Sequence, residues 1–156
     1  MSPDAVLKAA RAKGMRIATA ESCTGGMIVA ALTDIPGASA VVDRGFVTYS
    51  NAAKIEMLGV RSETLDAHGA VSEEIAAEMA EGALNRSEAG LAVAVTGIAG
   101  PGGSEAKPEG RVCFGLAEAG RPTRTETVEF GAQGRTDGRR ATTEHAIDLL
   151  ARALAR

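Results

Sequence analysis

The sequence predicts an α/β fold, a layered β-sheet carrying helices on both faces, on three observations. Short apolar runs of strand length alternate with helical patterns. Two of those runs end in polar turns that open directly onto helices. Of the 156 residues, 45% are hydrophobic but only 3% aromatic, with no Trp and one Tyr, so the core is aliphatic. A chain of this length buries roughly two-thirds of its unfolded surface. Residues 1–156 therefore read as a single domain, with no internal repeat or linker.

Taken in order, Ser2-Pro3-Asp4 predicts a helix start: a capping hydroxyl, proline in the first turn, then an acid. Val6, Leu7, Ala10 and Ala12 continue that helix and Gly14 ends it. Residues 15–20 (MRIATA) read as a buried strand and residues 21–26 as a turn. Residues 27–32 are helical, and Pro36-Gly37 lies beyond them. Residues 45–49 (GFVTY) form a second strand, after which Ser50-Asn51 cap a helix reaching Leu58. A further helix runs from Ser72 to Leu84. Residues 91–96 (LAVAVT) are the most strand-like in the chain and lead into a glycine-rich loop, residues 97–110. Residues 112–118 and 123–130 pair as a hairpin about Ala119-Gly120-Arg121-Pro122. The closing segment, residues 136–156, ends in an amphipathic helix with Ile147, Leu150 and Leu154 on one face.

Composition excludes several function classes. The net charge is −3 and no basic block stands out, which argues against direct nucleic-acid binding. No apolar run approaches the roughly 20 residues that span a bilayer. The first fourteen residues are charged and amphipathic, unlike a signal peptide, so the expected compartment is the cytoplasm. Cys23 and Cys113 are isolated, as are His68 and His145, so neither a disulfide framework nor a metal site is expected, and no cofactor.

Three segments carry candidate chemistry. The turn Glu21-Ser22-Cys23-Thr24-Gly25-Gly26 joins a strand to a helix, where backbone N–H groups and the positive helix end converge on one spot. Such a spot suits a phosphate, a carboxylate or a developing oxyanion. Ser22 is a candidate nucleophile there, with Cys23 as an alternative, and Gly25-Gly26 leave room for a ligand beside the backbone. The same residues also make an ordinary capped helix start. The turn lacks the flanking glycines of a hydrolase elbow and the Gly-Lys-Ser/Thr of a phosphate loop.

In the second segment, Tyr49-Ser50-Asn51 ends a strand and Lys54 sits in the first turn of the next helix. The helix dipole and burial both favour a neutral amine there, able to take a proton from a serine, with Tyr49 relaying or stabilising it. The plainer reading is an exposed lysine and a core tyrosine. A nucleophilic serine needs a base, and neither histidine lies in a motif-like setting. The third segment, Thr96-Gly97-Ile98-Ala99-Gly100-Pro101-Gly102-Gly103-Ser104, follows the strongest strand. Ligands of open α/β sheets bind beyond the carboxyl ends of strands. Ser22, Tyr49 and Thr96 converge there if their strands are parallel; otherwise the glycines only serve turns. Lys107 reads as a solvated loop charge.

Together the three segments, with Gly69-Ala70-Val71-Ser72, resemble the CinA C-terminal domain family over nearly the whole chain. The resemblance implies a three-layer α/β/α fold with a five-stranded mixed, mostly parallel sheet containing one antiparallel strand. It implies hydrolysis of nicotinamide mononucleotide to nicotinate mononucleotide and ammonia, in pyridine-nucleotide salvage, by a dimer. By position, Ser22 becomes the nucleophile, Lys54 its base and Tyr49 an assistant. Glu21, Thr24, Gly25, Gly26, Asn51, Thr96, Gly97, Gly100, Gly102, Gly103 and Ser104 would line the substrate site. Arg135 resembles the family's arginine near the start of the final helix, a phosphate or carboxamide contact. Gly134 stands where the family usually carries an acid, and Arg139 and Arg140 follow closely as competitors for that role. The sequence reads as a stand-alone domain, without the larger N-terminal domain of many CinA proteins.

Overall fold

A computed structural model describes residues 2–156. The elements are α1 (Pro3–Ala12), β1 (Ile17–Glu21), α2 (Met27–Thr33), β2 (Val42–Val47), α3 (Asn51–Leu58), α4 (Ser62–His68), α5 (Glu73–Asn85), β3 (Leu91–Gly97), β4 (Arg111–Glu118), β5 (Arg124–Glu129) and α6 (Arg135–Leu154). A short 3₁₀ turn, Ala38–Ala40, precedes β2. The strands form one five-stranded sheet in the order β2-β1-β3-β4-β5. β1 pairs in parallel with β2 and β3, and β4 runs against both its neighbours. The sheet is thus mixed, with β4 the one reversed strand.

Alternation along the strands sorts the two faces. Leu91, Val93 and Val95 of β3 face a cluster with Val6 and Leu7 of α1, Ile28 and Leu32 of α2, and Leu150 and Leu154 of α6. Ala92 and Ala94 of β3 face the other way, with Ala18 and Ala20 of β1, against Leu58 of α3 and Ile75, Met79 and Ala80 of α5. This second face is small by design of its residues, and α5 sits close on it. A Cβ on Gly115 would run into the Ala76 carbonyl of α5, and one on Gly82 of α5 would run into the Leu58 carbonyl that ends α3.

Several boundaries differ from the sequence reading for physical reasons. β1 reaches Glu21, a charged residue that is fully buried. β2 starts at Val42 instead of 45, because its polar VDRG stretch is an edge strand with one half-exposed flank. Gly45 lies inside that strand, where Thr19 and Val29 side chains leave little room for a Cβ. α4 is a helix the pattern did not announce; it buries no residue fully and so shows no apolar stripe. Among the described residues, no helix is long and apolar enough to cross a membrane.

Candidate active site

The parallel strands end at one level. Glu21 pairs with Val47 of β2 and with Val95 of β3, so the segments after all three strands emerge together. The connection after β1 turns to the α1/α2/α6 face, whereas α3 after β2 packs on α5 at the opposite face. Diverging connections leave a crevice between the strand ends. Ser22 enters it from one side and Lys54 of α3 from the other.

The turn that carries Ser22 is rigidly specified. Ser22 N–H donates to the Val95 carbonyl (3.2 Å), and Gly25 N–H closes a tight turn on the Ser22 carbonyl (3.1 Å). Gly25 and Gly26 adopt φ of 59° and 107°, left-handed values that cost other residues energy. The Glu21 carboxylate accepts from Thr24 Oγ1 (2.6 Å) and from the N–H groups of Ile28 (2.9 Å) and Val29 (3.0 Å). It therefore satisfies the start of α2, whose capping residue Gly26 has no side chain to do so. Glu21 and Thr24 were expected to touch substrate; both are fully buried and bonded to each other, outside the cavity lining. Gly25 and Gly26 likewise shape the turn without lining the cavity.

Lys54 is 1% exposed, a cost that a charged amine would feel heavily. Its Nζ lies 3.1 Å from Ser22 Oγ and donates to the carbonyls of Thr48 (3.1 Å) and Tyr49 (3.2 Å). Burial pulls its pKa below the ordinary 10.5, while Cys23 and the Glu105 carboxylate act in the opposite direction. Burial also pushes the Cys23 thiol up to about 11, which leaves it a poor nucleophile at neutral pH. Ser22, with an amine at hydrogen-bond distance, is the better equipped of the two.

Ser22 and Lys54 open onto a cleft of about 380 Å³, lined also by Tyr49, Asn51, Thr96, Arg135 and residues 97–105. That volume falls in the roughly 300–1,000 Å³ range of small-molecule sites. Gly97, Gly100, Gly102, Gly103 and Ser104 stand on its wall. Thr96 is buried and its hydroxyl donates to the Ala70 carbonyl (2.8 Å), tying β3 to the segment between α4 and α5. Tyr49 stands apart from the Ser22–Lys54 pair. It is 61% exposed, and its hydroxyl accepts from Arg135 Nη2 (2.9 Å), with no hydrogen bond to Ser22 or Lys54. Its carbonyl, not its phenol, touches the lysine.

The three arginines separate cleanly. Arg135, the first residue of α6, donates to the Gly100 carbonyl (2.7 Å) and to Tyr49, at the rim of the cleft. Arg139 reaches behind the turn after β1 and donates to the carbonyls of Cys23 (3.0 Å) and Thr24 (3.3 Å). Arg140 pairs with Asp137 at the surface. Two acids that the sequence reading passed over also belong to this region. Glu109 accepts from Gly102 N–H (2.8 Å) and Gly134 N–H (3.1 Å), bracing the glycine loop against the start of α6. Glu105 lines the cleft itself. Lys107 is not the solvated charge expected: its Nζ donates to the carbonyls of His68 (2.8 Å) and Val71 (2.6 Å). Nothing in the spacing of these residues announced their partners, which lie 7 and 25 residues from Glu109 and 36 and 39 from Lys107.

Comparison with known proteins agrees on one family. The family model of the CinA C-terminal domain matches residues 2–154. A CinA-like protein of Chlorobium phaeobacteroides is 54% identical over 146 residues, covering 91% of this chain and 35% of that protein. The nicotinamide-nucleotide amidohydrolase PncC of Escherichia coli K12 is 51% identical over 144 residues, covering 92% of this chain and 87% of that protein. The crystal structure of the competence damage-inducible protein A from Klebsiella pneumoniae is 40% identical, with a TM-score of 0.94 over 99% of this chain and 95% of that one. The chain spans about a third of the length of the longer relatives it matches, at 35%, 38% and 27% of theirs.

Proposed function

The chain belongs to the CinA C-terminal domain family, and on that premise we propose that it is a nicotinamide-nucleotide amidohydrolase. The reaction takes nicotinamide mononucleotide and water to nicotinate mononucleotide and ammonia, a step of pyridine-nucleotide salvage. The observation that carries this reading is the buried Lys54 amine at 3.1 Å from Ser22 Oγ, at the floor of the cleft.

The geometry favours a neutral lysine acting as base. A neutral amine has two N–H donors and one lone pair. The carbonyls of Thr48 and Tyr49 take the two donors, which leaves the lone pair for the Ser22 hydroxyl proton. Ser22 Oγ attacks the carboxamide carbon as its proton passes to Lys54 Nζ. The tetrahedral oxyanion is stabilised at the turn by the amide of Cys23, which lines the cleft and makes no bond to a protein oxygen. Lys54 then returns its proton to the leaving nitrogen, the C–N bond breaks, and ammonia departs from an ester on Ser22. Water repeats the sequence: it gives a proton to Lys54, its oxygen adds to the ester carbon, and the C–O bond to Ser22 breaks with the proton returned.

Arg135 and the N–H groups of Gly100 and Gly103 in the glycine loop are suited to the substrate phosphate. Tyr49 holds Arg135 across the cleft rim through its hydroxyl, which makes it a positioning residue in this scheme. The same reading places the protein in the cytoplasm as a homodimer. The test is turnover by the purified protein: equimolar nicotinate mononucleotide and ammonia from nicotinamide mononucleotide. Tight binding of the mononucleotide without ammonia would instead identify a binding module.

A further inference from the structure

A tetrahedral intermediate on Ser22 puts a negative charge beside the turn after β1, and the charges already there govern how well the turn can hold it. Glu21 immediately precedes Ser22 and is fully buried. Its carboxylate accepts from Thr24 Oγ1 and from the N–H groups of Ile28 and Val29, bonds that suit an ionised acid. The acid satisfies the start of α2, but it repels a second negative charge one residue away.

Arg139 of α6 meets the same turn. Its Nε donates to the Cys23 carbonyl (3.0 Å) and its Nη2 to the Thr24 carbonyl (3.3 Å). Nη2 also lies 3.2 Å from the point a Cβ on Gly25 would occupy, so the guanidinium is seated against the turn's backbone. Glu21 and Arg139 thus share Thr24, one through its hydroxyl and the other through its carbonyl. The bond from Gly25 N–H to the Ser22 carbonyl makes Cys23 and Thr24 the central residues of a β-turn. The peptide between those two is the one such a turn can rotate while keeping its closing bond, since types I and II differ by that rotation. No backbone N–H takes the carbonyl of this peptide; Arg139 does. Arg139 lines a small cavity adjoining the cleft and not the cleft itself, where the turn presents Ser22 and Cys23. The turn's carbonyl lone pairs are therefore drawn toward α6, and the Cys23 amide is left facing the reaction.

The charges have matching signs. Of those that act on Cys23, Glu21 opposes a negative charge there, whereas Arg139 and Lys54 favour it. Lys54 is neutral when Ser22 attacks in the scheme above, so Arg139 is the cation present from the start. We propose that Arg139 is a positioning residue of the oxyanion site. It holds the Cys23–Thr24 peptide with its carbonyl turned to α6, and it offsets the charge of Glu21 where the intermediate forms. This inference rests on the amidohydrolase reading and adds to it a residue that touches neither substrate nor nucleophile.

The test is ammonia release from nicotinamide mononucleotide by wild type, Arg139→Gln and Arg139→Lys. Glutamine can keep one hydrogen bond to the turn but removes the charge; lysine keeps the charge and loses the planar fork. Arg139→Gln is expected to lower kcat about ten- to hundredfold, less than the loss of a direct oxyanion donor. Arg139→Lys should recover most of that loss. Affinity for the mononucleotide, measured with Ser22→Ala added so that nothing turns over, should hold within about threefold. A tie that only fastens α6 would weaken affinity and turnover together and would not separate glutamine from lysine. That pattern, or an unchanged kcat in Arg139→Gln, would overturn the proposal. If wild type releases no ammonia, the amidohydrolase reading fails separately. The nitrophenolate burst from para-nitrophenyl acetate then decides. In that reaction the acetyl group passes to Ser22 Oγ, the serine proton passes to Lys54, and the C–O bond to nitrophenolate breaks, through the same oxyanion. A burst slowed by Arg139→Gln and restored by Arg139→Lys would support the role; equal bursts, or none from wild type, would overturn it.

Discussion

At the scale of single residues, the site turns on what burial does to one amine. Lys54 is enclosed by Ser22 Oγ and two main-chain carbonyls, which fixes where its lone pair points once it is neutral. Two consequences follow from the lowered pKa. The kcat/KM profile should rise with pH through a midpoint below 10.5, and Lys54→Met should abolish that limb and cost about 10²–10⁴-fold in turnover. A pH–rate series on both proteins checks this. Stability should follow the same group. Between its folded pKa and 10.5 the unfolded lysine holds a proton that the folded one has released, so stability increases with pH across that window. It is lost as pH falls through the folded value, because the amine must then be charged while buried. Urea midpoints of wild type should show this slope, and those of Lys54→Met should lack it. The residue scale is also where sequence reading succeeded unevenly. Ser22 and Lys54 were legible because each sits in a turn with a known electrostatic character. The partner of Tyr49 was not, because Arg135 comes from 86 residues away; those of Glu21 lie within eight residues but depend on how the turn folds α2 back onto the end of β1.

At the scale of elements, α3 matters because it carries Lys54, and its position depends on α5. The two helices touch where Gly82 of α5 meets the Leu58 carbonyl at the end of α3. Alanine is better than glycine in a helix by about 1 kcal/mol. The added methyl cannot fit here without moving backbone, so Gly82→Ala should instead lower stability by about 2 kcal/mol net. It should also reduce turnover by displacing Lys54 from Ser22. Chemical denaturation and ammonia release on the variant check both effects; a stabilised, fully active Gly82→Ala would show that the contact does not set the position of α3. Most elements were readable from caps and periodicity: Ser2, Ser50 and Ser72 each cap the helix expected after them. α4 escaped because it buries no residue fully and leaves no periodic signal. β2 was placed three residues late because an edge strand tolerates Asp43 and Arg44, whose polarity reads as loop.

At the scale of the whole molecule, the site is a product of topology. β1 lies between β2 and β3 with all three parallel, so Ser22, Lys54 and Thr96 arrive at one edge of the sheet from distant parts of the sequence. The reversed strand β4 adds the remaining wall, because the loop joining β3 to it must fold back over that edge. α6 closes the arrangement from outside: Arg135 holds the loop and Tyr49, and Arg139 holds the turn after β1 from behind. The layered class was accessible from the alternation of strands and helices. That two arginines four residues apart would hold different walls of the cleft, Arg135 the glycine loop and Arg139 the turn after β1, was not, since it follows from how α6 crosses the strand ends. The central claim is that Ser22, served by Lys54, performs the hydrolysis. Its most direct test is ammonia release from nicotinamide mononucleotide by Ser22→Ala beside wild type, with mononucleotide affinity measured on both. The account predicts release by wild type, a loss of at least about 10⁴-fold in the variant, and little change in affinity. Turnover by Ser22→Ala at the wild-type rate would contradict it.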